Sequence, residues 1–372
     1  MTVPGTGADR LLQIERARQA VMLEGRSMTD MLVQGWYESA WIERSWRRCL
    51  ANGQRPQDRV SFEVVGEAHM RRTAEANRTL VGAARPVLEQ LGRAIASTRY
   101  FAILTNEEGV VIDAHGPIDR GDRRATLITR VGVDLSERSV GTTSIGAALA
   151  ELQPVWLHRG EHFFQDTGCY SCAGAPLFGP DGRCVGMLDL TGIDAAERPE
   201  LKHLVAQSAR SIENALALTR PHRLVLRLNW PGRLLGDEDD GLLCLDGDGW
   251  VTGSNGAARQ MIAALAPAPQ GPVHCSELFA QPWEPLFDRV AQGEQAPLDL
   301  ALWSGLRLTC LAQPAGDARA GAAARLPLRD VEIALIRKAV GDARGNVAEA
   351  ARALGISRAT VYRKLAQKAP RG

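Results

Sequence analysis

No window of the chain approaches the roughly 18 uninterrupted apolar residues of a membrane-spanning helix, and residues 1–10 hold no basic stretch leading into an apolar run. Secretion and membrane insertion are therefore not expected, and a cytoplasmic protein is. Nowhere does a Gly-Lys dipeptide occur. A P-loop needs that pair to cradle phosphates, so ATP-driven chemistry of that type is excluded. Seven cysteines, an odd number scattered over 372 residues, do not make the disulfide framework of a small secreted domain. They fit a reducing compartment. No cysteine motif for flavin attachment and no convincing haem ligand is present, and His274 or Cys275 alone supports no cofactor. No cofactor is expected.

What is present suits a soluble chain of several modules. Hydrophobic residues make up 45% and charged residues 23%. A length of 372 residues implies two or three domains of about 100 to 150 residues each. The net charge of +1 conceals an asymmetry: residues 325–372 carry a surplus of seven positive charges, which leaves the rest at −6. A short basic end on an acidic chain is the electrostatic footprint of a phosphate-backbone binder.

That basic end has the pattern of three short helices. Val331, Leu335, Ile336, Ala339 and Val340 space a first amphipathic helix over 330–340. Asn346 and Glu349 form an N-cap and capping-box pair, and Val347, Ala350, Ala351 and Leu354 line one face of a second. Gly355 ends it, Ile356 fills the turn, Ser357 caps a third, and Val361 and Leu365 point inward. Arg358, Tyr362, Arg363 and Lys364 face outward. The run from Gly345 to Leu365 closely resembles the Fis-type helix-turn-helix of bacterial regulators. The resemblance implies that Ser357, Arg358 and Thr360 sit nearest bases or adjoining phosphates while Arg363 and Lys364 clamp the backbone.

The middle of the chain reads as an α+β sensor. Residues 100–112 form a hairpin around the turn 106–109, and 173–190 form another around Gly179-Pro180-Asp181-Gly182. A long amphipathic helix over 196–218 follows, while a small-residue helix over 140–151 and a short strand at 154–157 lie between the hairpins. Helices on an antiparallel sheet define the layering. Four segments carry a further resemblance: Arg44-Ser-Trp-Arg-Arg-Cys49, 137–146, Gly160-Glu-His-Phe-Phe164 and 172–190 resemble the GAF-containing N-terminal region of acetoin-catabolism regulators. Where that family usually has Gly-Thr-Asn, this chain has Gly141-Thr142-Thr143.

The resemblance implies a mostly apolar pocket with a few orienting polar groups for a small organic effector. Phe101, Ile103, Thr142, Thr143, Trp156, Phe163, Phe164, Cys172 and Asp189 are the candidate lining. A different chemistry attaches to His158, His162, Cys169 and Cys172, which could hold a metal ion or, through the thiols, act as a redox switch or a thiol oxidoreductase. After a break at 219–221, residues 240–265 read as strand, turn, strand and helix, and look like the opening of a PAS domain completed by strands at 298–302 and 306–312.

The expected architecture is multidomain α+β, with a helical segment at 1–80, a GAF-like domain at 81–220, a small PAS-like domain at 221–313, a linker at 314–325 and a three-helix Fis-type domain at 326–372. Regulators with such an N-terminal region usually carry an AAA+ ATPase before the DNA-binding end; here the short Ala/Gly-rich 314–325 stands in that place. The expected function is a non-enzymatic, ligand-responsive transcription regulator. It should bind an inverted repeat in double-stranded DNA as a homodimer, and act through RNA polymerase or in competition with full-length relatives.

Overall fold

The computed structural model describes residues 7–25, 40–62, 65–266, 271–294 and 296–316, together with 346–348, Ala351, Arg358 and Val361. The chain divides into two compact units, Met1–Ala315 and Gly316–Gly372. The first unit is mixed helix and sheet and contains two five-stranded antiparallel sheets.

The first sheet comprises β1 (Tyr100–Asn106), β2 (Val111–His115), β3 (Val155–His158), β4 (Tyr170–Phe178) and β5 (Cys184–Ile193), in the order β2-β1-β5-β4-β3. The turn after β1 is closed by the Asn106 side chain, whose Oδ1 accepts from the backbone N–H of Glu108 at 3.2 Å and of Val110 at 2.8 Å. Both faces of this sheet are covered. Along β1, Phe101 and Ile103 join one apolar cluster while Tyr100, Ala102 and Leu104 join another, the period of two expected of a strand. The second cluster is closed by α4 (Arg78–Ala94) and α8 (Leu201–Ala217) through Leu88, Leu91, Val205 and Ile212. The first is closed by α1 (Gly7–Arg18) and α2 (Ala40–Ala51) together with the connection between β2 and β3. Before α4, α3 (Glu67–Ala76) has no buried residue.

That connection contains α5 (Arg123–Ile128), α6 (Glu137–Val140) and α7 (Ser144–Glu151). The small-residue helix expected over 140–151, opened by Gly141-Thr142-Thr143-Ser144, is α7, and a separate short helix, α6, precedes it. The chain turns at Gly141, where φ is +67° and ψ −159°, and α7 restarts with Thr143 as N-cap accepting from the Gly146 N–H at 3.3 Å. A Cβ at Gly141 would lie 2.9 Å from two ring carbons of Phe164, so both conformation and space demand glycine there. By contrast, α8 starts at Leu201 rather than 196. Pro199 keeps the residue before it out of the helical region and delays the start.

The second sheet comprises β6 (Leu224–Asn229), β7 (Gly241–Leu245), β8 (Val251–Ser254), β9 (Leu298–Ala301) and β10 (Arg307–Pro314), ordered β8-β7-β6-β10-β9. Its apolar core joins Leu226, Leu243, Phe279, Leu300 and Leu308, with α9 (Gly256–Met261) and α10 (Glu284–Ala291) beside the strands. Strand β6 was not anticipated from the sequence. It takes the centre of the sheet, between β7 and β10, and all six of its residues are buried. Among the described residues no helix is long and apolar enough to cross a membrane.

Replacing Gly141 with alanine forces a backbone conformation that L residues avoid and a clash with Phe164. Urea unfolding should show a loss of about 2 to 4 kcal/mol, the sum of backbone strain and overpacking. An unchanged midpoint would contradict this account of the break.

Candidate ligand cavity and DNA-binding element

Between the α7 side of the first sheet and the β2–β3 connection lies a small cavity of about 30 Å³ that opens to solvent. Ile103, Val140, Ile145 and Phe62 supply apolar wall, and Thr143, Ser144, His162, Tyr170, Cys172 and Thr191 supply the polar atoms. Strand alternation puts them there: Tyr170 and Cys172 are two apart on β4, as are Asp189 and Thr191 on β5.

Asp189 is fully buried one layer behind the wall, where its carboxylate accepts from the hydroxyls of Ser144 and Thr191. Burial pushes its pKa up to about 7 against the opposing pull of those two hydrogen bonds. When Asp189 is ionised, the Ser144 and Thr191 hydroxyls spend their protons on it and their oxygens remain as acceptors. His162 is buried with Nδ1 2.9 Å from the Arg159 carbonyl. A carbonyl can only accept, so Nδ1 carries the proton and Nε2 is the acceptor, facing the Cys172 thiol at 3.6 Å. Burial holds this imidazole down to about 4, hence neutral at pH 7. The cavity is apolar and uncharged at its surface, with its polar side chains largely turned to one another.

The segment bearing His162 is gripped by the N-terminal helices. The Arg18 guanidinium donates to the carbonyls of Gly160 at 2.8 Å, Phe163 at 2.9 Å and His162, and lies 5.7 Å over the Trp46 ring. Trp46 is buried and donates its indole N–H to the Glu161 carbonyl at 2.9 Å. Arg10 pairs with the Glu161 carboxylate at 2.8 Å. On the other side of α2, Ser45 and Arg48 reach Glu137 at 2.6 and 2.7 Å, and Arg44 pairs with Glu151. The four segments singled out in the sequence therefore meet around one cavity.

Of the nine residues expected to line a pocket, Ile103, Thr143 and Cys172 do so. Asp189 stands behind Ser144 and Thr191. Phe101, Phe163 and Phe164 belong to the same apolar cluster without lining the cavity. Thr142 is turned away, its hydroxyl 2.7 Å from Ser45 Oγ and 3.6 Å from the Cys49 thiol. Trp156 is on the opposite face of the sheet, packed on Tyr100 and stacked with His158, because its neighbour Leu157 takes the cavity side. Tyr170 and Thr191 were missed, although each lies two positions along a strand from a residue that was named.

The four candidate metal ligands do not converge. His158 is on the Trp156 face with Nδ1 2.8 Å from Ser171 Oγ, whereas His162 faces Cys172. Among the described residues no group of three or more such side chains could hold a metal ion. Cys169 and Cys172 are free thiols, and burial raises both pKa values. A reactive thiol requires the reverse.

In the second unit, Asn346 caps a helix start: its Oδ1 accepts from the Ala348 N–H at 3.1 Å. Ala351 and Val361 are buried and Arg358 is exposed, each in helical conformation. The expected helix at 330–340 and the residues Ser357, Thr360, Tyr362, Arg363 and Lys364 lie outside the described residues.

A sensor-like α+β region followed by a helical, basic element defines the class. Residues 15–214 match the family described as "MimR, N-terminal domain", and 327–367 match "Bacterial regulatory protein, Fis family". The chain belongs to the MimR N-terminal family and carries a Fis-type helix-turn-helix. It is 31% identical over 67% of its length to the acetoin catabolism regulatory protein of Cupriavidus necator, covering 38% of that protein. It is 27% identical over 47% of its length to the acetoin dehydrogenase operon transcriptional activator AcoR of Bacillus subtilis, covering 29% of it. It is 26% identical over 56% of its length to the propane 2-monooxygenase operon transcriptional activator MimR of Mycolicibacterium goodii, covering 34% of it. The chain thus spans about a third of the length of these relatives.

Burial raises Asp189, Glu161 and Glu213 alike to about 7. For a carboxyl whose folded pKa exceeds its unfolded one, the stabilising contribution is complete below the unfolded value and is lost as pH rises through the folded value. Stability should therefore fall between about pH 4, the ordinary carboxyl value, and about pH 7, the folded value. Asp189→Asn should flatten that fall while keeping the shape of the site. Thermal melts at several pH values check this, and a slope identical to the parent's would contradict it.

Proposed function

We propose that this chain is a ligand-responsive, DNA-binding transcription regulator whose GAF-like domain takes a small, uncharged, hydroxyl-bearing molecule. The observation that carries the reading is the joining, in one chain, of a small, mostly apolar cavity with a few polar side chains in its wall to a Fis-family helix-turn-helix. Ser144 Oγ, Thr191 Oγ1 and His162 Nε2 favour a ligand that donates hydrogen bonds, and the apolar remainder favours a short carbon skeleton. Relatives named for acetoin catabolism and for propane 2-monooxygenase operons support a small oxygenated effector.

Action without ATP hydrolysis is supported by the missing Gly-Lys pair and by what occupies 224–314, an antiparallel sheet rather than a nucleotide-binding domain. That sheet serves as a PAS-like module for dimerisation or signal transmission. In DNA binding, Ser357, Arg358 and Thr360 stand nearest the bases, Tyr362 flanks them, and Arg363 and Lys364 hold phosphates. The regulator is cytoplasmic and works by recruiting RNA polymerase, by occluding a promoter, or by competing with full-length relatives.

Band shifts against the DNA upstream of its own gene test the reading. Arg358→Ala should weaken specific binding by about 1 to 3 kcal/mol with the melting curve unchanged; equal affinity would remove Arg358 from the interface. One recognition helix covers only a few base pairs, so two copies roughly 34 Å apart on an inverted repeat are expected. Light scattering with operator present should report a dimer, and the fragment 325–372 alone should bind more weakly than the whole. A monomer on DNA, or a fragment of equal affinity, would defeat this part of the reading.

A further inference from the structure

A second, larger recess lies on the other side of the first sheet, where α8 faces the β6 to α9 region of the second sheet. Its volume is about 710 Å³, and it opens broadly to solvent. Three guanidiniums, Arg210, Arg233 and Arg259, reach its walls, against the carboxylates of Glu213 and Asp239.

The carboxylates are already engaged. Asp239 pairs with Arg210 at 3.5 Å, and the buried Glu213 accepts from the Phe178 N–H at 3.0 Å. Glu213 also offsets the charge of Arg259, so Arg233 is the surplus cation of the recess while Arg259 retains an unused donor. Arg259 donates Nη1 to the carbonyls of Ser254 at 2.7 Å and Gly179 at 3.3 Å, which fixes the side chain across the two sheets, while its Nη2 is buried without a hydrogen-bond partner. A buried donor left unpaired is costly, so the arrangement is incomplete as it stands. The Arg233 side chain makes no hydrogen bond or ion pair among the described residues. Beside them the Trp230 indole is 39% exposed at the wall, a flat apolar surface in a polar recess.

We propose that this recess is a binding site for an organic anion with a flat apolar body, its carboxylate or phosphate taken by Arg259 and Arg233 and its body laid on Trp230. A guanidinium offers two N–H groups in one plane, which suits either head group, and an indole face suits a planar body. The occupant bridges α8 and α9. The site is separate from the effector cavity, which opens on the opposite face of the same sheet.

Isothermal titration of the full chain with benzoate, adenosine monophosphate and inorganic phosphate tests this. At least one flat-bodied probe should bind with one site per chain and a dissociation constant below about 1 mM, with inorganic phosphate at least about tenfold weaker. Binding by benzoate alone or by the nucleotide alone supports the site and identifies the head group. Arg233→Gln and Trp230→Ala, both at exposed positions, should each weaken binding about tenfold or more with unchanged melting curves. Thr191→Val, in the effector cavity, should leave it unaltered. The proposal is overturned if no probe binds, if inorganic phosphate binds as well as the others, if Arg233→Gln binds like the parent, or if Thr191→Val abolishes binding.

Discussion

The first sheet has no face turned to water, and most of the architecture around it follows from that constraint. A sheet buried on both sides must be covered twice, and the chain on either side of it supplies the covers: α4 and α8 on one face, α1, α2 and the β2–β3 connection on the other. The second cover is short and irregular, so it cannot close by apolar contact alone. Arg18, Trp46 and Arg48 complete it by donating to backbone carbonyls and to Glu137 where no regular ladder exists to satisfy those groups. Because the cover is held by point contacts rather than by continuous packing, it leaves a void, and the void is the cavity.

Strand positions were the most legible part of the sequence. Both hairpins of the first sheet have alternating or continuous apolar runs flanking turns with glycine, proline, asparagine or aspartate, and these signals are local. Helix starts were less so. The late start of α8 depends on one residue, Pro199, that a periodicity reading passes over. Strand β6 went unread for another reason. It follows directly on the turn after α8, and its place at the sheet centre is set by pairing with β10, some eighty positions later. Nothing within its own six residues announces that partner.

The candidate site shows the same division. Residue types were readable, since a buried aspartate, a Gly-Thr-Thr run and a Cys-x-x-Cys beside histidines all stand out in the sequence. Their directions were not. Trp156 and His158 share a face because they are two apart on β3, and that face is the wrong one for the cavity. Cys169 lies before β4 and Cys172 within it, so only Cys172 meets a histidine, His162, while His158 stands on the other face of the sheet. In each case a three-dimensional choice of side, invisible to composition, decided the outcome.

Thr142 and Thr143 are neighbours in sequence that answer to different audiences. The left-handed turn at Gly141 presents the first to Ser45 and Cys49 on α2 and the second to the cavity and to the start of α7. A molecule resting against Thr143 is therefore one peptide plane away from the docking surface of the N-terminal helix. The two contacts are thus covalent neighbours, joined by one planar peptide unit.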